Sequence, residues 1–429
     1  MEASSSPSNP ESKEEKEAPA KREVYKLPAT IPIFDRYEIK FGAILGSGAF
    51  CTVCSIDNIT KNDTLDPSIE NMEGDDKQTI EDEQMQQLRR QRLVQKFQEA
   101  QFVPQSMIDG SDPEREAPPR YAIKYLKRGL TSSDRKRGMQ DLEIELHLLL
   151  KCIDHPHIIT LFGVGGSSKV DLDGDEATPP TTLISSSSSS SSKDRFLILD
   201  RLQSTLQNRF YKWREKRGVG LFEVLAINER ENKDLWLQRM VILTKIASAM
   251  YFLHKEGIIY RDLKPENIGF DYDNTPKLFD FGLARNLPES SAPTSDDGQD
   301  ALDENSYLMT GMTGSPRYMA PEVALSRPYG SKADVYSFAI LMQEVLSLKV
   351  PYATFNGIRK LQYEVIHHGV RPYVDTLWPD SISDLLTEMW HGNQKYRPSS
   401  REVLKRLEGV LRGRDDDLFP SWGVKKWFR

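Results

Sequence analysis

The chain contains few cysteines. Only three of its 429 residues are cysteine, namely Cys51, Cys54 and Cys152. They cannot all pair in disulfides, and they indicate a reducing compartment. Cys51 and Cys54 have a spacing found in metal sites, but neither a second such pair nor a histidine cluster accompanies them, so a zinc site would lack half of its ligands. The sequence therefore predicts structural thiols.

Long apolar runs and an excess of basic residues are also missing. No apolar segment approaches the ~18–20 residues that a membrane-spanning helix needs. The formal charge of −7 gives no basic field for nucleic acid. The first 23 residues lack the apolar segment of a signal peptide and are too acidic for a transit peptide. We expect a protein of the cytoplasm, with the nucleus as the other compartment, that neither spans a membrane nor binds nucleic acid.

Polar segments interrupt the chain. Residues 1–32 are rich in Ser, Pro, Glu and Lys, which predicts a disordered tail. Two inserts, 57–119 and 165–194, have a similarly polar composition. We expect the first to be disordered apart from one exposed helix, and the second, which contains eight consecutive serines, to be disordered throughout. Residues 413–429 form a C-terminal tail.

The remaining sequence changes from strand-like to helical. Alternation of apolar and polar residues dominates 33–201, with a helix expected over 141–153. Helical periodicity dominates 202–412, most clearly over 236–254 and 335–346. Strands followed mainly by helices predict an α+β fold with a lobe of each kind.

A short hairpin brings together groups that can bind a metal ion. The apolar strands "IGF" and "KLF" flank the turn "DYDNTP". If the turn is symmetric, Phe270 faces Lys277, and Asn267 lies opposite Asp280, about 4.5–5.5 Å away. Asp262 lies in the loop that leads into the same place. These oxygen-bearing side chains suit Mg²⁺.

Three motifs carry a resemblance to a known family. "RDLKPEN" (261–267), "DFG" (280–282) and "APE" (320–322) occur in the order, and at roughly the spacing, of eukaryotic protein kinases. The resemblance runs from about Tyr37 to Leu407, apart from the two inserts. It implies a two-lobed α+β kinase fold, with a small, mainly antiparallel β N-lobe that carries one key helix and a larger, mainly α C-lobe.

The resemblance implies a role for each catalytic group. Asp262 resembles the aspartate that accepts the proton of the substrate hydroxyl, and Lys264 the lysine that offsets charge on the phosphoryl group in transit. Asp280 and Asn267 match the ligands of Mg²⁺. Lys124, in "YAIK", matches the lysine that holds the α- and β-phosphates of ATP.

The implied ATP site combines a glycine-rich flap, a strand, a helical carboxylate and the connection between the lobes. Its residues are Leu45, Gly46, Ser47, Gly48, Ala49, Phe50, Cys51, Val53, Ala122, Lys124, Glu145, Leu199, Asp200 and Leu202. Gly46 and Gly48 would let backbone N–H groups approach phosphate, and Cys51 replaces the third glycine of the family pattern. For the carboxylate that holds the lysine, Glu145 is preferred and Glu143 is the alternative.

The sequence favours a working enzyme. Tyr260 stands where the family usually has histidine, but that position supports the catalytic segment and does not touch the nucleotide. A catalytically inactive relative is expected to lack at least one of Lys124, Asp262, Asn267 and Asp280, and all four are present. The alternative function is a pseudokinase-like scaffold or docking protein that uses the inserts and the tail.

The implied substrates are proteins with serine or threonine. Lys264 in the catalytic loop resembles Ser/Thr kinases. "TGSPRYMAPEVA" and "DVYSFAILMQE" resemble the tyrosine-kinase-like branch of those enzymes, with Ser315 where threonine is common. The cofactors implied are ATP and Mg²⁺; the sequence gives no oligomeric state.

The segment from Asp280 to Glu322 is long and contains Ser and Thr residues. Arg261 precedes Asp262, as in kinases that a phosphate in this segment switches on. We expect phosphate on Thr310 or Thr313 to pair with Arg261 and to order the segment. A loop with incidental hydroxyls is the alternative.

The resemblance also implies structural contacts in the larger lobe. Glu322 and Arg397 match a buried ion pair. Asp334 matches an aspartate that holds the backbone of the catalytic loop. Taken alone, each of these residues would be assigned to the surface.

Overall fold

The structure is a computed structural model of the chain, and it describes residues 31–59, 88, 91, 95, 120–153, 155–165, 195–216, 229–288, 306–413 and 418–420. Most of the predicted tails and of both predicted inserts lies outside these residues. In the first insert Leu88, Gln91 and Gln95 are described, and all three are helical and exposed. The first insert starts later than predicted, because a strand continues to Ile59.

Six strands of the described chain form the sheet of the smaller lobe. They are β1 (Ile33–Phe34), β2 (Ile39–Ser47), β3 (Cys51–Ile59), β4 (Tyr121–Leu126), β5 (Leu161–Gly165) and β6 (Phe196–Asp200). Their order in space is β1-β5-β6-β4-β3-β2, and all neighbours are antiparallel except β1 and β5. A small apolar core that includes Ile56, Ile123 and Ile198 covers one face. Burial of this face explains the alternation in the sequence.

Strand β1 has only two residues, too few for alternation to predict it. It pairs with β5, with Ile33 beside Val164. Phe34 packs where Gly163 has no side chain, since a Cβ there would lie 2.8 Å from the Phe34 ring. The contact explains why this strand position needs glycine.

Helix α1 (Ser132–Lys151) packs against the sheet and begins well before the predicted residue 141. Thr131 is its N-cap and accepts a hydrogen bond from the backbone N–H of Asp134 at 3.1 Å. The first turns of α1 are polar, and burial becomes regular only from Leu142. Apolar periodicity alone therefore placed the helix start too late.

The larger lobe is mainly helical. Its described helices are α2 (Leu206–Lys216), α3 (Glu229–Lys255), α4 (Pro321–Ala324), α5 (Lys332–Ser347), α6 (Ile358–His367), α7 (Asp380–Met389) and α8 (Ser400–Arg412). The predicted helices 236–254 and 335–346 lie within α3 and α5. Helix α5 is buried from Ala333 to Leu346, so it forms the centre of the lobe. The predicted two-lobed α+β architecture is confirmed.

Short strands lie where the two lobes meet: β7 (Ser204–Thr205), β8 (Ile258–Ile259), β9 (Ile268–Phe270), β10 (Pro276–Leu278) and β11 (Arg285–Asn286). Strand β9 pairs with β7 and β10, and β8 pairs with β11. These pairings place the catalytic loop and the segment after β10 side by side.

The predicted register of the β9–β10 hairpin was wrong by one residue. Phe270 pairs with Pro276, and Lys277 pairs with Gly269. The turn is shorter than predicted because proline can occupy the first position of a strand. Asn274 completes the turn at φ 63°.

The corrected register changes the partner of Asn267. Its carbonyl accepts a hydrogen bond from the N–H of Phe279 at 3.1 Å. Asp280 follows one residue later and therefore lies diagonal to Asn267 rather than opposite it. Both residues still end up at the same end of the hairpin.

The described chain ends against the larger lobe. The indole N–H of Trp236 donates a hydrogen bond to the carbonyl of Leu418 at 2.7 Å, and both residues are buried. The described helices include none with the length and apolar composition to cross a membrane.

Candidate active site

A cleft of about 640 Å³ opens between the lobes. Every predicted ATP-binding residue lines it: Leu45, Gly46, Ser47, Gly48, Ala49, Phe50, Cys51, Val53, Ala122, Lys124, Glu145, Leu199, Asp200 and Leu202. Asp262 and Asp280 line it as well. Strand pairing places Lys124 beside Val53, and Ala122 beside Leu199. The cleft is large enough for a nucleotide.

The loop between β2 and β3 leaves open space over the cleft. The N–H of Gly48 donates to the carbonyl of Cys51 at 2.9 Å and closes the loop. Among the described residues, a Cβ at Gly46 would meet no atom within 4 Å, and one at Gly48 would meet only the Cys51 carbonyl at 3.9 Å. Packing within the described part of the chain therefore does not require these glycines. Burial raises the pKa of the Cys51 thiol to about 11, so this thiol is neutral.

Lys124 joins two acidic groups in the cleft. Its Nζ lies 2.5 Å from Glu145 Oε2 and 3.4 Å from Asp280 Oδ1. Burial acts to lower the pKa of Lys124, but the Glu145 and Asp280 carboxylates outweigh it, so this pKa is raised and the amine stays cationic. Glu143, the alternative partner, instead lies 3.9 Å from Arg195 Nε.

Asp262 is the centre of the catalytic loop. Its Oδ2 accepts hydrogen bonds from Lys264 Nζ at 2.5 Å and Asn267 Nδ2 at 2.8 Å. Its Oδ1 accepts from the backbone N–H and the hydroxyl of Ser315, at 3.0 and 2.8 Å. The carboxylate is therefore fixed in one orientation, as a group that receives a proton from a bound hydroxyl must be.

Gly314 allows the segment that carries Ser315 to approach this loop. It has φ +97°, and a Cβ there would lie 2.3 Å from the carbonyl oxygen of Arg261. Both the left-handed backbone and the close approach require glycine. The two bonds from Ser315 to Asp262 depend on this contact.

Asp334 supports the backbone before Asp262. Its carboxylate accepts hydrogen bonds from the N–H groups of Tyr260 and Arg261, each at 2.8 Å. His254 Nε2 lies 2.9 Å from the same carboxylate. Arg261 has φ 68°, which is costly for a residue with a side chain. The fully buried Asp334 stabilises this strained backbone, in agreement with its predicted role.

Tyr260 links the catalytic loop to the strand before Asp280. Its hydroxyl donates to the carbonyl of Phe279, and its ring meets Phe281 edge to face at 5.3 Å. Burial raises the pKa of Tyr260 well above its usual value. The residue thus acts as a neutral buried support, and the partner that its hydroxyl needs is a backbone carbonyl.

None of the described hydrogen bonds of the Arg261 guanidinium reaches Thr310 or Thr313 directly. Its guanidinium donates to the carbonyl of Leu283 at 2.6 Å and to the hydroxyl of Tyr329 at 3.1 Å. That hydroxyl donates to the carbonyl of Thr310 at 2.7 Å, and the Thr313 hydroxyl donates to the same carbonyl at 3.0 Å. Tyr329 therefore connects Arg261 to the segment with both threonines.

Sequence reasoning missed some residues of the site. Tyr329 lies in no recognised motif, and its contact with Arg261 depends on the tertiary fold. Asp141 also lines the cleft. Helical spacing could have found it, because it lies four residues before Glu145 on α1 and therefore on the same face.

The donor set suits magnesium that is shared with a nucleotide. Among the residues described, no cluster of three or more His, Cys, Asp or Glu side chains could hold a metal ion. Mg²⁺ in phosphoryl-transfer sites needs only one or two protein carboxylates, because phosphates and water supply its other ligands. The half-exposed Asp280 carboxylate and the Asn267 amide oxygen meet this need. Asn267 points its Nδ2 at Asp262, so its oxygen faces the other way.

The fold and the site together define the class of protein: the chain has the two-lobed fold of a protein kinase. Residues 114–407 match the family model described as "Protein kinase domain", and the chain belongs to this family. The resemblance to eukaryotic protein kinases is thus confirmed. The relatives described next also support the assignment to the tyrosine-kinase-like branch of that family.

Similar curated proteins are named as kinases. Serine/threonine-protein kinase STY17 of Arabidopsis thaliana is 32% identical over 172 residues, which cover 40% of this chain and 27% of STY17. Serine/threonine-protein kinase VIK, from the same plant, is 30% identical over 70% of this chain and 57% of its own length. Dual specificity protein kinase shkB of Dictyostelium discoideum is 31% identical over 44% of this chain and 27% of shkB. The chain therefore spans less than two thirds of each of these relatives.

Proposed function

We propose that the protein is an ATP-dependent protein kinase that transfers the γ-phosphate of ATP to serine and threonine hydroxyls of protein substrates. The observation that carries the proposal is the position of Lys124, 2.5 Å from Glu145 and 3.4 Å from Asp280, in a cleft that Asp262 also lines. A cation held by a buried glutamate can bind phosphates, while the more exposed Asp280 remains available to a metal ion.

The side chains support each part of the transfer. The substrate hydroxyl oxygen bonds to the γ-phosphorus as the bond from that phosphorus to the bridging oxygen of ADP breaks, and the hydroxyl proton passes to Asp262. Lys264 offsets negative charge on the phosphoryl oxygens. Asp280 and Asn267 would hold magnesium, which would supply further neutralisation of the phosphates.

The relatives STY17 and VIK are named serine/threonine-protein kinases, which supports serine and threonine as acceptors. The contact between Ser315 and Asp262 lies at the proposed proton acceptor. It fixes the segment next to the proton acceptor, and Lys264 joins the same carboxylate from the other side. A panel of peptides that differ only in a single Ser, Thr or Tyr acceptor tests this proposal. We expect phosphate on serine and threonine peptides. Equal or faster transfer to the tyrosine peptides would contradict the proposed specificity.

We also propose that phosphate on Thr310 or Thr313 increases activity through Arg261. The Tyr329 hydroxyl connects Arg261 to the Thr310 carbonyl, and this link between the guanidinium and the segment with both threonines supports the proposal. Replacement of both threonines by alanine should lower activity. Thr387→Ala, at an exposed position on α7, is the control. Undiminished activity of the double variant would contradict this regulation.

The place of action is a further proposal, the cytoplasm or the nucleus. All three cysteines lie in the described chain and are free thiols, which supports a reducing compartment. Imaging of the tagged full chain tests this proposal, and accumulation in a secretory compartment would contradict it.

A further inference from the structure

Lys277 is a buried cation between the two lobes. Its side chain is 8% exposed, and its Nζ lies 3.0 Å from Asp200 Oδ2. The same ammonium donates to Thr160 Oγ1 at 3.1 Å and lies 3.8 Å from Asp271 Oδ2. Lys277 belongs to β10 of the larger lobe, whereas Asp200 ends β6 of the smaller one. The ion pair thus joins the lobes beside the cleft.

Asp200 has partners in both lobes, Thr160 in the smaller lobe and Lys277 in the larger lobe. Its Oδ2, which faces Lys277, also accepts a hydrogen bond from the N–H of Thr160 at 2.9 Å. Its own N–H donates to the carbonyl of Thr160 at 3.2 Å. Asp200 therefore has backbone contacts with the smaller lobe and a charged contact with the larger lobe.

The ion pair between Lys277 and Asp200 lies beside the cleft, because Asp200 is one of the residues that line it. Asp200 and Leu202 line the cleft at the connection between the lobes. Removal of one partner of a buried ion pair leaves the other charge unpaired in a poorly solvated place, so the remaining group moves toward water. Loss of Lys277 should therefore change the conformation of the connection. Because Asp200 and Leu202 line the cleft, the surface that would bind the nucleotide should change as well.

We propose that Lys277 is a positioning residue for nucleotide binding, which holds the Asp200–Leu202 connection in place through the Asp200 carboxylate. This inference rests on the proposed kinase function. Lys277 does not line the cleft and acts through Asp200. Its removal should therefore weaken binding of ATP while the catalytic groups around Asp262 stay in place.

The test is steady-state kinetics of the full chain with Mg-ATP and a serine peptide. We expect Lys277→Met to raise KM for ATP about tenfold and to leave kcat within about twofold of wild type. The rise in KM corresponds to part of the free energy that is lost when one partner of a buried ion pair is removed. Lys277→Arg keeps a cation and should largely preserve KM. Lys405→Met, at an exposed position on α8, is the matched control and should leave both constants unchanged.

A second variant separates positioning from folding. Asp200→Asn keeps an acceptor for the Thr160 N–H but removes the charge that faces Lys277. It should raise KM by a similar factor, and the double variant should raise it no further than either single one, because the two changes break one interaction. If Lys277→Met does not fold, the KM of Asp200→Asn alone decides the question.

Several outcomes would overturn the proposal. An unchanged KM in Asp200→Asn, additive effects in the double variant, or a loss of kcat without a change in KM would each do so. A rise in kcat at constant KM would show that the pair restrains lobe motion instead. If the wild-type chain shows no transfer, the proposed function fails, and binding of fluorescent Mg-nucleotide to the same variants still tests the positioning role.

Discussion

The hydroxyl of Tyr260 donates a hydrogen bond to the main-chain carbonyl of Phe279, the residue before Asp280. The bond joins the catalytic loop to the segment that carries the proposed metal ligand. Asp334 holds the same tyrosine through its backbone N–H at 2.8 Å. Tyr260 therefore supplies a buried ring and a direct link between two parts of the site.

Tyr260→Phe should destabilise the protein more than it impairs chemistry. It leaves the Phe279 carbonyl without its donor, which should lower the free energy of unfolding by about 1–3 kcal/mol. The ring stays, so kcat should fall by less than about tenfold, the equivalent of 1.4 kcal/mol. Denaturant unfolding and peptide kinetics measure the two effects. The exposed Tyr211→Phe serves as control, and an unfolding free energy equal to that of wild type would refute the role of the bond.

The ion pair between Glu322 and Arg397 should behave as a buried pair. The Arg397 side chain is 0% exposed, and its guanidinium contacts both Glu322 oxygens, at 2.6 and 2.9 Å. Arg397→Met or Glu322→Gln should each cost about 3–5 kcal/mol, because the partner is left buried and unpaired. The double variant should cost clearly less than the sum.

A surface pair provides the control for that experiment. Arg412 and Glu408 lie 2.9 Å apart, with side chains 73% and 44% exposed. Breaking this pair should change stability by about 0–1 kcal/mol in denaturant unfolding. Equal losses for the buried and the exposed pair would contradict the assignment of Glu322 and Arg397.

Glu344 should make stability depend on pH near neutrality. Burial raises its pKa from 4.5 to about 7, and its carboxylate accepts a hydrogen bond from the Tyr318 hydroxyl at 2.5 Å. The folded chain holds the proton of Glu344 more tightly than the unfolded chain does. The contribution of the protonated Glu344 to stability is therefore complete below pH 4.5 and is lost as pH rises through about 7.

Glu344→Gln tests this dependence. The neutral amide cannot titrate, so wild type should lose roughly 3 kcal/mol relative to the variant between about pH 4 and 8. Chemical unfolding at a series of pH values measures the difference. The exposed Glu388→Gln should leave the pH profile unchanged. A wild-type profile parallel to that of Glu344→Gln would contradict the raised pKa.

Local patterns predicted most of the fold, and failed where long-range contacts decide it. The centres of α3 and α5 follow from apolar periodicity because each buries a continuous face. The start of α1 was missed, since a Thr131 cap and polar turns define it rather than burial. Strand β1 was missed because its pairing with β5 depends on Phe34 meeting a glycine far along the chain.

The site shows the same division. Motif spacing predicted Lys124, Asp262, Asn267 and Asp280, and the structure brings them to one cleft or its edge. The hairpin register was wrong by one residue, because the sequence does not reveal whether Pro276 belongs to the turn or to the strand.

The contacts of Lys277 and Tyr329 lay beyond any sequence pattern. Each joins segments that are far apart in the chain, Lys277 with Asp200 and Tyr329 with Arg261. A lone lysine in a short strand, or a lone tyrosine before a helix, carries no local signal of such a partner.

The most direct test of the central claim is transfer of the γ-phosphate of radiolabelled Mg-ATP to a serine peptide by the full chain. Wild type and the exposed control Lys136→Met should transfer phosphate equally. Lys124→Met and Asp262→Asn should each lose about 100-fold or more, because charge stabilisation and proton acceptance are removed one at a time. Wild-type rates in a folded Asp262→Asn variant, or transfer by none of the four proteins, would contradict the account.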